Sequence, residues 1–129
     1  MRLAACTCIL AWAAVATSCG GSATQDRVVA GSEVVHEFKA HGIVLQNSHL
    51  YDNRDSINAA YFATSSSAKT LLFVAVCRSA NVAQDLARAT ASPLEQTIAI
   101  KRGKNVVLYL ARAADLKTRR RATDALMNL

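Results

Sequence analysis

The sequence predicts an α+β fold with a mainly antiparallel sheet of about four or five strands and helices packed on one face. Apolar residues make up 52% of the 129-residue chain and charged residues 19%, a balance that supports a folded core. A continuous apolar run at residues 70–76 is typical of a strand buried on both faces. Segments with apolar residues at helical spacing occur before and after this run. These features predict a single small domain over residues 28–129.

The first predicted helix lies within residues 26–41. Gly31 weakens helix formation, so the helix could begin only at Ser32. Gly42 follows at the position where a left-handed helix terminus favours glycine. The apolar residues that fall on roughly one side of this helix are Val28, Val34, Val35 and Phe38.

The next segment predicts little regular structure. Residues 43–45 are apolar and predict a short strand, whereas residues 46–58 are rich in Asn, Asp and Ser. We expect an exposed loop there, with Leu50 and Tyr51 packing back onto the domain.

The centre of the sheet is predicted to be a hairpin. Residues 59–64 and 70–76 read as two strands joined by a turn at residues 65–67. Ser79 is then a candidate N-cap for a helix that ends near Thr90.

Two further strands and a last helix follow. Residues 95–101 and 104–111 predict a hairpin around Arg102-Gly103, where Gly103 would supply the positive φ of a tight turn. Ile98 and Ile100 should share one face of the first of these strands. Asp115 can cap the last helix. The residues of this helix expected to face the sheet are Leu116, Ala122, Ala125, Leu126 and Leu129.

The N-terminus has the order of a signal peptide. A positive start at Met1-Arg2 precedes an apolar run over residues 3–16, and small residues lead to Cys19. The run is shorter than the ~20 residues that a spanning helix needs. A Gly/Ser-rich polar segment follows the cysteine and predicts a flexible tether. We therefore divide the chain into a signal peptide at 1–18, a tether at 19–27 and the domain at 28–129.

The segment Ala16-Thr17-Ser18-Cys19 resembles the lipobox of bacterial lipoproteins. The resemblance implies that Cys19 carries the lipid, becomes the first residue of the mature chain and anchors it to the exported side of a membrane in the cell envelope. Family members usually have Leu where Ala16 stands and Gly or Ala where Ser18 stands, so ordinary secretion with cleavage after Ala16 or Ser18 is the alternative. The rest of the chain is similar to the small bacterial lipoproteins of unknown function.

Positive charge is concentrated near the C-terminus. The formal net charge is +6, and its excess lies between Lys101 and Arg121. In a domain of this size such a face is most often a solvated surface, and the alternative is contact with a membrane, an anionic envelope component or another envelope protein. We expect no nucleic-acid partner, because export separates the domain from nucleic acid and Tyr109 is the single aromatic residue near these charges. The candidate residues for contact with an anionic surface are Arg102, Lys104, Lys117, Arg119, Arg120 and Arg121.

The sequence predicts no catalytic residues, no cofactor and no bound metal. His36 and His41 resemble a zinc-protease pair, but a spacing of five rotates the second imidazole by about 140° from the first on a helix. Cys77 follows the apolar run and is expected to be a buried, unreactive thiol.

The leading functional hypothesis is a non-catalytic envelope lipoprotein that binds a partner or contributes to envelope structure. The alternatives are an enzyme or enzyme accessory acting on anionic wall or lipid material, and a receptor for a small ligand.

Overall fold

The computed structural model describes residues 27–89, 92–94 and 96–129. The predicted signal peptide, Cys19 and residues 20–26 of the predicted tether lie outside the described residues. Within the described ranges, no helix has both the length and the apolarity needed to cross a bilayer.

The described residues form one five-stranded sheet and three helices. The strands pair antiparallel throughout, in the order β1-β2-β3-β5-β4. The predicted α+β class with an antiparallel sheet is therefore confirmed. In chain order, the elements are α1 (Gly31–Ala40), β1 (Gln46–Asn47), β2 (Ile57–Thr64), β3 (Thr70–Cys77), α2 (Ala80–Arg88), β4 (Thr97–Gly103), β5 (Val106–Ala111) and α3 (Leu116–Met127).

Strand β3 lies at the centre of the sheet, between β2 and β5. Its residues from Leu72 to Cys77 are all buried, which confirms the predicted burial on both faces. Because side chains alternate along a strand, Leu72 and its alternate neighbours join the core on one face, and Phe73 and its alternate neighbours join the core on the other.

Two helices share one face of the sheet, as predicted, and the third lies on the opposite face. Helices α1 and α3 contact each other and cover the core formed by Val74, Leu108 and their neighbours. Helix α2 packs against Phe73 and Tyr109 on the other side. The reason is that β3 and β5 are apolar on both faces, so each face needs a cover. The expectation of helices on one face alone is corrected by α2.

The predicted helix ends are largely confirmed. Ser79 caps α2 by accepting a hydrogen bond from the Val82 N–H, and Asp115 caps α3 in the same way. Gly42 has a φ of +80° after α1. Helix α1 begins at Gly31 rather than Ser32, and a Cβ at Gly31 would overlap the Tyr61 hydroxyl.

The turn between β4 and β5 differs from the prediction. The residue with positive φ is Lys104, at +52°, and not Gly103. Gly103 is required for a different reason, because a Cβ there would lie 3.1 Å from Leu126 of α3. The glycine allows the end of β4 to approach the last turn of α3.

Two differences concern the segment before β2. The short strand lies at Gln46–Asn47 instead of residues 43–45. Tyr51 packs back as expected, with its ring edge-on to Phe73 at 5.6 Å between centroids, but Leu50 is 58% exposed.

A buried asparagine joins three separate parts of the chain. Asn105 is 1% exposed, and its Oδ1 accepts a hydrogen bond of 2.7 Å from the Val29 N–H. Its Nδ2 donates to the Val29 carbonyl at 3.0 Å and to the Cys77 carbonyl at 2.8 Å. Asn105 therefore connects the β4–β5 turn to the segment before α1 and to the end of β3.

Candidate functional site

The basic residues predicted to contact an anionic surface are distributed over several parts of the surface. Arg119 and Arg120 lie on the side of α3 that faces β4. Arg121 lies on the other flank, with its guanidinium near Gly42. Lys104 donates from Nζ to the backbone oxygen of Leu129. The structure thus separates Arg121 and Lys104 from the two preceding arginines.

The remaining candidates, Arg102 and Lys117, also lie apart from Arg119 and Arg120. Lys101, which was outside the predicted set, donates from Nζ to Thr123 Oγ1 of α3 at 3.1 Å. Arg102 is its neighbour on β4 and so points to the opposite face of the sheet. Lys117 is exposed in the first turn of α3, outside the lining of the groove described next.

A groove of about 320 Å³ runs between β4 and α3, and we call it the β4–α3 groove. Four residues of α3 line one side at spacings i, i+3, i+4 and i+7, which is one stripe of a helix. These four are Leu116, Arg119, Arg120 and Thr123. The remaining lining residues are Ile98, Ala99 and Lys101 of β4, Leu110 of β5, and Asp124 of α3.

Two local features of the sequence form this groove. The Asp115 carboxylate accepts a hydrogen bond of 2.7 Å from the Thr118 N–H and starts α3 at Leu116. This hydrogen bond, aided by the charges of Lys117 and Arg121, lowers the pKa of Asp115 below its ordinary value. The cap therefore stays ionised over a wide pH range and holds the first turn of α3 in place.

The second feature is an irregularity in strand register. Between Thr97 and Ala99 the pairing with β5 shifts, and Ile98 and Ala99 both line the groove. Ile100 packs on the opposite face, so the prediction that Ile98 and Ile100 share a face is wrong. Leu116 was expected to face the sheet but is 60% exposed.

The groove combines exposed apolar side chains with positive charge. Ile98 is 45% exposed on one side, and Leu116 lies on the other. Three cations and one carboxylate line the groove, so its lining carries a net positive charge. Among the described residues, none of these four charged side chains has an ion-pair partner within 4.0 Å.

Arg119 is held in a defined position. Its Nη2 donates to the Arg112 carbonyl at 3.3 Å, and its Nε is buried without a partner among the described residues. Thr123 Oγ1 donates to the Arg119 carbonyl at 2.8 Å. The Arg112 carbonyl is therefore the hydrogen-bond partner of the Arg119 guanidinium among the described residues.

Two larger hollows lack this combination. One of about 400 Å³ lies beside Lys69 and Arg112, and its lining contains no large apolar side chain that is exposed. Another of about 380 Å³ lies beside α1, where Glu33 and Glu37 add negative charge. We therefore regard the β4–α3 groove as the candidate functional site.

No known protein family, curated protein or solved structure matches this chain.

The histidines lie in separate environments. Ring nitrogen Nδ1 of His41 lies 2.9 Å from the Glu37 carbonyl, and Nδ1 of His49 lies 2.7 Å from the Asp52 carboxylate. His36 is exposed on α1. Within the part of the chain that the structure describes, no group of three or more potential metal ligands comes together.

Cys77 is buried at the end of β3, as predicted. Burial raises the pKa of its thiol from 9.0 to about 11. The hydroxyl of Tyr109 is buried nearby without a hydrogen-bond partner among the described residues, and burial also raises the pKa of Tyr109. These groups lie on the α2 side of the sheet, away from the groove.

We predict that Cys77 reacts with iodoacetamide at about pH 8 at least ~100-fold more slowly in the folded chain than in denaturant, because the raised pKa removes most of the thiolate. Mass spectrometry of the peptide that contains Cys77 measures the rate. Equal alkylation rates in the folded and denatured states would contradict the prediction.

The neutral Cys77 thiol also favours the folded state, so this contribution to stability should be lost as pH rises from about 9 through 11.

Proposed function

We propose that this protein is an envelope lipoprotein, exported by residues 1–18 and anchored through Cys19, whose domain is a non-catalytic binding module. The domain contacts an anionic component of the envelope through the β4–α3 groove. The observation that carries this proposal is the set of three cations along the groove without ion-pair partners among the described residues. Charges left in water in this way attract anions over about one Debye length.

The position of the domain start supports an anchored arrangement. Val29 is fully buried and is held by Asn105, so this residue belongs to the core of the domain. About ten residues separate Cys19 from Val29, and a chain of this length spans at most ~35 Å. That reach allows the domain to contact an envelope component near the membrane surface.

We expect the double variant Arg119→Gln and Arg120→Gln to bind a soluble polyanion about tenfold more weakly at low salt, since each exposed ion pair contributes up to ~1 kcal/mol. Dye-labelled polyglycerol phosphate is the probe, and fluorescence anisotropy with the full chain in nonionic detergent is the measurement. The difference should diminish as salt rises because the attraction is screened.

The matched control is Lys39→Gln with Arg88→Gln, which removes the same charge from exposed positions on α1 and α2. This control should bind almost as well as the wild type. If both double variants lose affinity equally, the groove has no special role and net charge alone determines binding.

A further inference from the structure

The β4–α3 groove has the chemistry of a site for an amphiphilic anion. Ile98 and Leu116 expose large apolar side chains on opposite sides of the groove, and Leu110 is buried at its base. Single exposed apolar residues are common on protein surfaces, but these two line the same groove, with Leu110 between them in its lining. Such apolar side chains gain free energy when an apolar group displaces their water.

The charges of the groove specify the other part of the ligand. Lys101, Arg119 and Arg120 lie beside these apolar side chains, and Asp124 is the single carboxylate in the lining. Guanidinium groups bind phosphate oxygens through charge-assisted hydrogen bonds. Arg119 lines the groove with its guanidinium near the Arg112 carbonyl, where it can also contact such a group. An apolar chain with a phosphate at one end satisfies both parts of the groove.

The same features disfavour two other occupants. A second copy of this chain would bring its own three groove cations against these three, and like charges repel. An acidic peptide could add as a strand along β4, which is the last strand in the sheet order. However, the irregular register at Thr97/Ala99 and the charged Lys101 and Arg102 are features that protect a sheet edge against strand addition.

We propose that the β4–α3 groove binds an anionic phospholipid of the adjacent bilayer. Part of one acyl chain lies in the groove, and Lys101, Arg119 and Arg120 hold the phosphate of the lipid. This inference rests on the proposed function, because the tether must place the domain at a membrane. The volume of about 320 Å³ lies at the lower end of the range for ligand sites and suits part of one chain rather than a whole lipid.

The test uses the full chain with vesicles of phosphatidylcholine and phosphatidylglycerol that contain a trace of phosphatidylglycerol with a photoreactive group on its acyl chain. After illumination, mass spectrometry maps the crosslinked residues. We expect crosslinks at β4 and the first turn of α3, near Ile98 and Leu116. The double variant Ile98→Ser and Leu116→Ser should reduce these crosslinks at least about tenfold, since each loses the burial of a large apolar side chain.

Val44→Ser is the matched control, because Val44 is an exposed apolar residue outside the groove and its loss should leave the crosslinks unchanged. Circular dichroism checks that both variants fold. A second measurement uses the wild-type chain alone: lysophosphatidylglycerol should compete for the groove crosslinks, and lysophosphatidylcholine should compete several-fold less.

Crosslinks spread evenly over the domain, or unaffected by the serine substitutions, would overturn the lipid proposal. A dimer of the wild-type chain in size-exclusion chromatography that is lost in the serine variant would do so as well, and would identify a second chain as the occupant. The proposed function has a separate test, because polyglycerol phosphate has no acyl chain. If the wild-type chain binds this polyanion but gives no lipid crosslinks at the groove, the binding module stands and the lipid ligand is excluded.

Discussion

Replacing Asn105 with alanine should lower the free energy of unfolding by about 3–5 kcal/mol. The substitution removes three buried hydrogen bonds and leaves the Val29 N–H and the carbonyls of Val29 and Cys77 without these partners. Each buried polar group that loses its partner costs about 1–3 kcal/mol. Denaturant unfolding measures the change, and a melting temperature lower by roughly 15 °C or more should accompany it.

Two further variants separate hydrogen bonding from general effects of substitution. Asn53→Ala replaces an exposed asparagine and should change the free energy of unfolding by less than about 0.5 kcal/mol. Asn105→Asp keeps an acceptor for the Val29 N–H but directs an oxygen at two carbonyl oxygens. An ionised carboxylate there should be more harmful than alanine at neutral pH.

The pH dependence of Asn105→Asp follows from the same contacts. Burial and the facing carbonyls should raise the pKa of Asp in the folded state above its unfolded value of about 4. The stability of this variant relative to wild type should therefore be greatest below about pH 4 and decrease as pH rises through the folded-state pKa.

An Asn105→Ala variant as stable as Asn53→Ala would contradict the first expectation, and would show that water replaces all three hydrogen bonds.

The parts of the fold that sequence predicts well are those determined by neighbouring residues. The apolar run in β3 and the caps at Ser79 and Asp115 depend on residues within a few positions of one another. Alternation and helical spacing therefore identify these elements directly. The α+β class follows from their order along the chain.

The parts that sequence did not predict depend on distant residues. Val29 and Asn105 are 76 positions apart, and no local pattern connects them. The apolar residues at helical spacing in α2, Val82, Ala83, Leu86 and Ala87, indicate that one side of this helix is buried. However, β3 and β5 offer two apolar faces, and spacing cannot distinguish between them. A three-dimensional structure is needed to assign such contacts.

The groove illustrates the same limit at the candidate site. The excess of positive charge was visible in the sequence, but the shift at Thr97/Ala99 decides that Ile98 faces α3. Lys101 joins the groove because alternation along β4 directs it to α3 and its neighbour Arg102 away. Charge composition thus suggests an anionic partner, which stays a prediction, and strand register places Ile98 and Lys101 in the groove.

Replacing Cys19 with alanine should prevent lipid attachment, so that no mature, membrane-anchored lipoprotein forms. Cys19 follows the apolar run at the distance expected for cleavage, and a polar segment containing Gly and Ser follows it in the sequence. A diacylglyceryl group buries two acyl chains at ~0.8 kcal/mol per CH₂, which is enough for stable anchoring without a spanning helix. Loss of this single thiol should therefore leave unprocessed precursor or release a soluble chain, as cell fractionation would detect.

The matched controls are Cys6→Ala and Cys8→Ala. Both cysteines lie within the predicted signal peptide, too early for the cleavage site, so their replacement should leave the mature product unchanged. Mass spectrometry of the N-terminal peptide extracted from membranes should find Cys19 first and carrying the lipid. An unmodified chain that begins at Thr17 would indicate ordinary secretion, and an intact Met1 would indicate a retained leader. A Cys19 without lipid in either product would exclude the lipid anchor.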